Sequence, residues 1–378
     1  MIITVTEFQD SFKDFISKID DPRLDRTKKY SLAEIMFLAL VATLAGAKGW
    51  RAMEYFGLHN LELLREFYQY EQGSPSDDTI RRLFRRLGHR AFRDFFDSWV
   101  QTLVLPEKMA IAIDGKTSRS SQKESGCSLH TVSAYASEQR LVLAQEKTND
   151  KSNEITAIPK LLDAMSIQDA IITIDAMGCQ KDICAKIILK EADYCIAVKE
   201  NQPSLYNSII DLFEMAEEKK IKVKKAVTQN KGHGRKEKRI CEVMLCPKDF
   251  LATYKKEWKG IKALVKITSH RLVKEKESIS VRYYISSNNL KAAEMNKVVR
   301  GHWAVENNLH WILDTTFKDD ESTIRRGNAP INMMTIKHFA LNLLQKAKTK
   351  NESIKMLQQG VGWSKKILLR VLSQIKAV

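Results

Sequence analysis

The chain has 378 residues, 44% of them hydrophobic, and its 62 Lys and Arg against 46 Asp and Glu leave a formal charge of +16. That length suits about two domains of roughly 100–200 residues each, and the apolar content excludes a disordered or collagen-like chain, because enough surface can be buried to offset the entropy of ordering. The longest nearly apolar run, residues 35–47, falls short of the roughly 20 residues that span a membrane, so a soluble protein with no membrane contact is expected.

The N-terminus, MIITVTEFQD, carries acids where a secretory leader has basic residues and then an apolar stretch. Residues 31–105 read as helices. Ser31 can cap residues 32–44, Gly46 and Gly49 break that run, and residues 50–70 continue with apolar side chains at helical spacing. A turn at 73–78 then starts a helix over 79–87. It places Ile80, Leu83, Phe84 and Leu87 on one face and Arg81, Arg82, Arg85 and Arg86 on the other. A short turn and an Arg-rich helix resemble the second half of a helix-turn-helix, in which Arg contacts phosphates or guanine edges. An ordinary solvated basic face would show the same pattern.

From residue 109 the periodicity changes. Strands are expected over 109–113, 129–136 and 140–147, then a helix over 154–165, a strand over 170–174, a helix over 180–192 and a strand over 194–198. The order βββαβαβ is that of an RNase H-like mixed sheet, with an antiparallel meander followed by parallel strands and helical crossovers. Residues 203–290 open with a helix over 205–218 and continue with basic, alternating stretches at 221–227, 239–245, 263–267 and 278–286, a β-rich insertion. A helix over 292–313 and a helical tail from 332 complete the chain. The fold class is therefore α/β, an RNase H-like core with a β-rich insertion, preceded by an all-helical N-terminal domain. Six cysteines without CxxC spacing suit buried thiols in a reducing cytosol.

The charge is regional. Residues 1–108 are neutral and 109–198 carry −2, whereas 199–300 carry +12 and 301–378 carry +6. A positive region of domain size attracts polyanions, nucleic acid above all; a basic surface kept for solubility is the plainer alternative. Within it, Lys231-Gly-His-Gly-Arg235-Lys236 reads as a basic turn able to follow a DNA backbone or to serve as a solvated hairpin tip.

Two aspartates sit where chemistry would need them. Asp114 ends the first strand and Asp175 the fourth, adjacent strands in the expected topology, so both carboxylates project from one sheet edge. Carboxylates on rigid neighbouring strands can hold hard divalent cations, although a strand ending in Asp is also an ordinary turn. Glu306, on the helix RGHWAVENNLHW, is the candidate third ligand. Lys116, Lys199 and Asn201-Gln202 follow at the same edge and are candidate phosphate contacts. His302, Glu306, His310 and Asp314 recur every four residues and could instead bind a transition metal. Trp303 and Trp311 could stack on flipped bases or simply fill core.

The segments AIDGKTSRS, KSNEITAIPKLLDAM, TIDAMGCQKDI, YCIAVKENQP, VRYYISS and RGHWAVENNLHWILDTTFKDDESTIRRGNAPINMM resemble those of the H-repeat-associated family of bacterial insertion-sequence transposases, a branch of the DDE superfamily. AGAKGWRAMEYFG and GSPSDDTIRRLFRRL resemble that family's associated helical domain. The resemblance implies Asp114, Asp175 and Glu306 as a metal-binding triad, two Mg²⁺ ions with Mn²⁺ able to substitute, and double-stranded DNA, both transposon ends and target, as partner. It also implies end cleavage and joining of the 3′-hydroxyl to target DNA, by a homodimer that holds two ends together. The assignment of Glu306 leans on the resemblance more than the aspartates do. The Tyr-x2-Arg-x3-Glu-x6-Lys signature of related enzymes is absent: its positions are Val299, His302 and Leu313, which leaves His302 or Arg300 as the candidate cation on the phosphate.

The expected organisation is a helical DNA-binding domain at 1–105, a DDE catalytic domain at 106–350 and a helical tail at 351–378. A cytoplasmic location, on the nucleoid when DNA is bound, goes with it. A transposase-derived nuclease and a catalytically silent DNA-binding protein are the rival functions.

Overall fold

The computed structural model describes residues 5–103, 109–119, 128–148, 154–219, 221, 223–232, 234–273 and 276–375. The chain opens with helices α1 (Val5–Ser17), α2 (Leu32–Leu44), α3 (Trp50–His59), α4 (Leu61–Arg65), α5 (Asp77–Arg86) and α6 (His89–Leu103). Ser31 caps α2 through a full capping box with Glu34, an arrangement that contributes about 1 kcal/mol. The continuous helix expected over 50–70 is instead broken at Asn60, whose side-chain amide donates to the Phe56 carbonyl and terminates α3. Residues 66–76 separate α4 from α5, so the short turn of a helix-turn-helix is not found between them.

Among the described residues nine strands form one mixed sheet: β1 (Ala110–Ser118), β2 (Leu129–Ala136), β3 (Leu141–Thr148), β4 (Ile171–Ile174), β5 (Asp193–Val198), β6 (Lys224–Gly232), β7 (Arg235–Leu245), β8 (Ala263–Val273) and β9 (Lys276–Ser286). Their spatial order is β3-β2-β1-β4-β5-β9-β8-β7-β6. β1, β2 and β3 form an antiparallel meander, whereas β4 runs parallel to β1 and β5 parallel to β4. Helices α7 (Glu154–Asp163) and α8 (Lys181–Leu189) make the crossovers, as parallel neighbours require. The basic insertion does not stand apart. β9 pairs with β5 from Cys195↔Ser286 to Val198↔Tyr283 and carries the sheet onward.

After α9 (Pro203–Glu218) and α10 (Lys248–Tyr254), the expected helix over 292–313 is α11 (Ala292–Ala304), a π-helical turn at Val305–His310 and α12 (Trp311–Thr315). α11 covers a small core of Cys195, Cys241, Val243, Val265 and Tyr284 with Met295, Val298 and Val299. A long helix, α13 (Ala329–Ala347), then joins the N-terminal helices to the sheet, with the Trp99 and Phe339 rings edge-on at 4.2 Å. Helices α14 (Ile354–Trp363) and α15 (Lys365–Leu372) close the fold, and Gln358 donates to the Thr43 carbonyl at the end of α2. One continuous hydrophobic core runs from Phe8 to Ile375. The five described cysteines are buried and free, and no helix among the described residues is long and apolar enough to cross a membrane.

Candidate active site

The site lies where β1 and β4 part. Their last pair is Ile113↔Ile174, which sets Asp114 and Asp175 side by side at the next position of each strand. β4 stops there because Asp175 turns into a 3-10 segment and caps it, its carboxylate accepting from the Met177 amide at 3.0 Å. β1 does not end at Asp114, as the sequence suggested. It continues to Ser118 because β2 still pairs with it, up to Ser118↔Leu129. Alternation along β1 then sends Asp114 and Gly115 to opposite faces. A Cβ on Gly115 would stand 2.3 Å from Oε1 of Glu154 on α7, while Asp114 faces His310 of the π-helical turn across 3.7 Å.

Glu306 occupies that same turn, next to the buried Val305. An extra backbone residue in a helix bends its side-chain register, and such turns gather at functional sites. Burial pushes the Asp114 carboxyl up to about 7; the Gly115 amide opposes this, and the charges of Asp175, Glu154 and Glu306 add to it. Carboxylates crowded around a raised carboxyl make a donor set of hard oxygens short of positive charge, which fits a divalent cation. The three acids are nevertheless not a compact cage. Among the described residues, the acids that bring ligand atoms within 4.8 Å of one another are Asp314, Asp319 and Asp320.

The histidine stripe does not converge on one point. His302 Nδ1 lies 3.1 Å from the Thr173 hydroxyl, and burial lowers its pKa despite the nearby charge of Asp175. His310 faces Asp114, and burial brings its pKa down to about 4, with Lys116 acting in the same direction. Asp314 accepts from Lys116 at 2.7 Å. His302, His310 and Asp314 are thus laid along two strands, each with its own neighbour, which disfavours the single transition-metal site. The absent signature has a structural counterpart, since Val299 and Leu313 are buried core.

Beside Glu306 opens a cleft of about 630 Å³ between the insertion strands and α11. Arg235, Arg239, Arg271, Arg282 and Arg300 line it, together with Trp303, Asn307 and Asn308. The Arg282 guanidinium sits 4.5 Å above the Trp303 ring, a cation–π pair. Trp311 is outside the cleft and largely exposed. Lys231 and Lys236 stand directly opposite each other near the β6–β7 hairpin tip, a like-charge pairing that costs stability unless an anion bridges it.

Other expected contacts fall elsewhere. Lys116 is buried, its amine among Asp314, Asp319 and Asp320, so it does not face solvent where a phosphate would approach. Asn201 and Gln202 hold the loop after Asp175, donating to the carbonyls of Ala176 and Cys179. Lys199 is exposed at that edge. On α5 all four arginines are exposed, with Arg81 and Arg82 ion-paired to Asp78. Sequence reasoning missed Glu154, buried and bonded to His130 Nε2 at 2.7 Å. At the start of a helix it reads as a capping acid, and no pattern in the sequence links it to Asp114.

Family models place the chain. The model described as Transposase DDE domain matches residues 105–343, and the one described as DDE_Tnp_1-associated matches 13–100. A putative transposase YncI of Escherichia coli O157:H7 is 42% identical over 93% of this chain and 91% of its own length. The H repeat-associated putative transposase YhhI of E. coli K12 is 38% identical over 95% and 96%. A solved synaptic complex of piggyBac transposase with hairpin DNA covers 96% of this chain and 80% of its own at 12% identity and TM-score 0.46, too distant to bear on the fold. With both family models filling most of its length and full-length relatives on either side of 40% identity, the chain belongs to the DDE transposases, in their H repeat-associated branch.

Proposed function

We propose that the protein cuts the ends of its insertion sequence and joins their 3′-hydroxyls to target DNA, with Asp114, Asp175 and Glu306 as the metal-holding acids. The observation that carries this is the pairing of Ile113 with Ile174, which sets two aspartates abreast on rigid strands, with the turn of Glu306 close enough for its charge to reach Asp114. The strand order β3-β2-β1-β4-β5, antiparallel and then parallel, supports an RNase H-like core.

Two Mg²⁺ ions held by these carboxylates would activate a water or hydroxyl and stabilise the leaving oxygen of an in-line displacement. The chain's own part is binding and alignment. The arginines of the cleft neutralise phosphates close to Glu306, and Arg300, exposed on α11, takes the place of the missing signature cations. His302, kept neutral by burial, buttresses Thr173 and with it the end of β4. The helices of 1–105 present the arginine face of α5 to DNA, residues 106–350 perform the chemistry, and 351–378 brace the two. Two transposon ends call for two copies of the chain on DNA.

The test incubates the purified protein with Mg²⁺ and labelled DNA bearing the element's inverted repeats. Cleavage with joined product supports the transposase. Cleavage alone marks a nuclease, and binding without either marks a silent DNA-binding protein; both overturn the proposal.

A further inference from the structure

On β1, Asp114, Lys116 and Ser118 alternate onto one face. Two residues beyond Asp114, the Lys116 amine lies 2.7 Å from Asp314 Oδ1, 3.4 Å from Asp320 Oδ1 and 3.8 Å from Asp319 Oδ2. Asp319 in turn accepts from the Ser118 hydroxyl at 2.6 Å and from Lys337 of α13 at 2.7 Å. Lys116, Asp319 and Lys337 are all buried. Asp314 is on α12, the continuation of the helix that carries Glu306, and Asp319 and Asp320 are in the 3-10 turn that follows.

We propose that Lys116 is a positioning residue. By clasping Asp314 and its neighbours it fixes the strand of Asp114 against the helix of Glu306 and so sets the spacing of those two carboxylates. The inference rests on the proposed role of these acids. A buried ion pair is a poor stabiliser, since apolar residues of similar volume do as well. What it supplies is one geometry, and a metal site tolerates little error in the placement of its ligands. The two ammonium groups already neutralise most of the Asp314–Asp319–Asp320 cluster, so its acids have no need of a metal of their own.

The test measures Mn²⁺ binding to the full chain without DNA, from the electron paramagnetic resonance signal of the free ion, alongside thermal melting. Lys116→Met and Asp314→Asn are expected to weaken Mn²⁺ binding about tenfold, the effect of losing a residue that orients a ligand. Lys116→Arg, which keeps the charge, should lose less than Lys116→Met. Unchanged affinity in both Lys116→Met and Asp314→Asn overturns the clasp. Should Lys116→Met melt below the assay temperature, Asp314→Asn decides alone, because that position is partly exposed. A parent chain that binds no Mn²⁺ overturns the metal role of the acids instead, and the two failures are told apart by that control.

Discussion

His310 Nδ1 stands 3.7 Å from Asp114 Oδ2, and its buried Nε2 meets no hydrogen-bond partner among the described residues. The imidazole therefore serves as a wall for the carboxylate and limits the positions Asp114 can take. It also links the π-helical turn of Glu306 to β1 without a counter-charge. Replacing His310 by Ala removes that wall while leaving the arginine cleft in place. Cleavage is expected to slow by up to about a hundredfold, the cost of an ångström of misplacement between reacting groups, with end-DNA affinity unchanged. Equal cleavage by parent and variant in a single-turnover assay would contradict this.

Gly115 is where the opposite face of β1 meets Glu154 and His130, at 2.3 and 2.8 Å from a would-be Cβ. Both neighbours are buried and hydrogen-bonded to each other, so neither can yield cheaply. Gly115→Ala is expected to cost about 1–3 kcal/mol of stability, as overpacking does, and to lower cleavage further by displacing Asp114. Denaturant unfolding checks the first and the cleavage assay the second.

The proposed grip on DNA would draw its charge from the insertion, from the like-charged pair Lys231–Lys236 and the arginines of the cleft. Changing Lys231, Arg235 and Lys236 to Ala should reduce the slope of log affinity against log salt by about 2–3, close to one unit per lost phosphate contact. The same count of substitutions on α5, where Arg81 and Arg82 already pair with Asp78, should change the slope less. Filter binding across a salt series distinguishes the two, and equal slopes would return the excess charge to solubility.

Asp97 on α6 carries a pH signature remote from the site. Both of its carboxylate oxygens lack hydrogen-bond partners among the described residues, and Arg93, 3.8 Å away, is shared with Asp94 and Glu146. Burial raises its pKa to about 8, with Arg93 opposing. The folded state thus keeps a proton that the unfolded chain gives up near the ordinary carboxylate value. Stability from this group is full below that value and is lost as pH rises toward and through about 8. Asp97→Asn should melt several degrees higher than the parent at about pH 8 and match it in acid. A parallel pH profile would refute the assignment.

The sequence carried the sheet as far as its strands are buried. Short apolar runs, with alternation at β2 and β3, marked β1 to β5 in order, and the paired aspartates followed from that order. It could not mark the outer lengths of β7, β8 and β9, because Arg235, Arg271 and Glu277 lie on strands exposed on both faces, where no hydrophobic period exists. Lys116 was legible as a cation near the site, but its acidic partners lie about 200 positions further along the chain, a pairing that only the folded chain reveals. Asn60 ended a helix that propensity alone would extend, through one side-chain bond.

Asp114, Asp175 and Glu306 are proposed to act together in metal-dependent chemistry on transposon ends. The most direct measurement is cleavage and strand transfer of inverted-repeat DNA in Mg²⁺ by Asp114→Asn, Asp175→Asn and Glu306→Gln, each compared with the parent at matched DNA occupancy. Each variant is expected to bind the DNA as the parent does and to lose cleavage and joining by at least about a thousandfold, since the acids act as a unit. Parent-like cleavage by any one of the three would contradict the account.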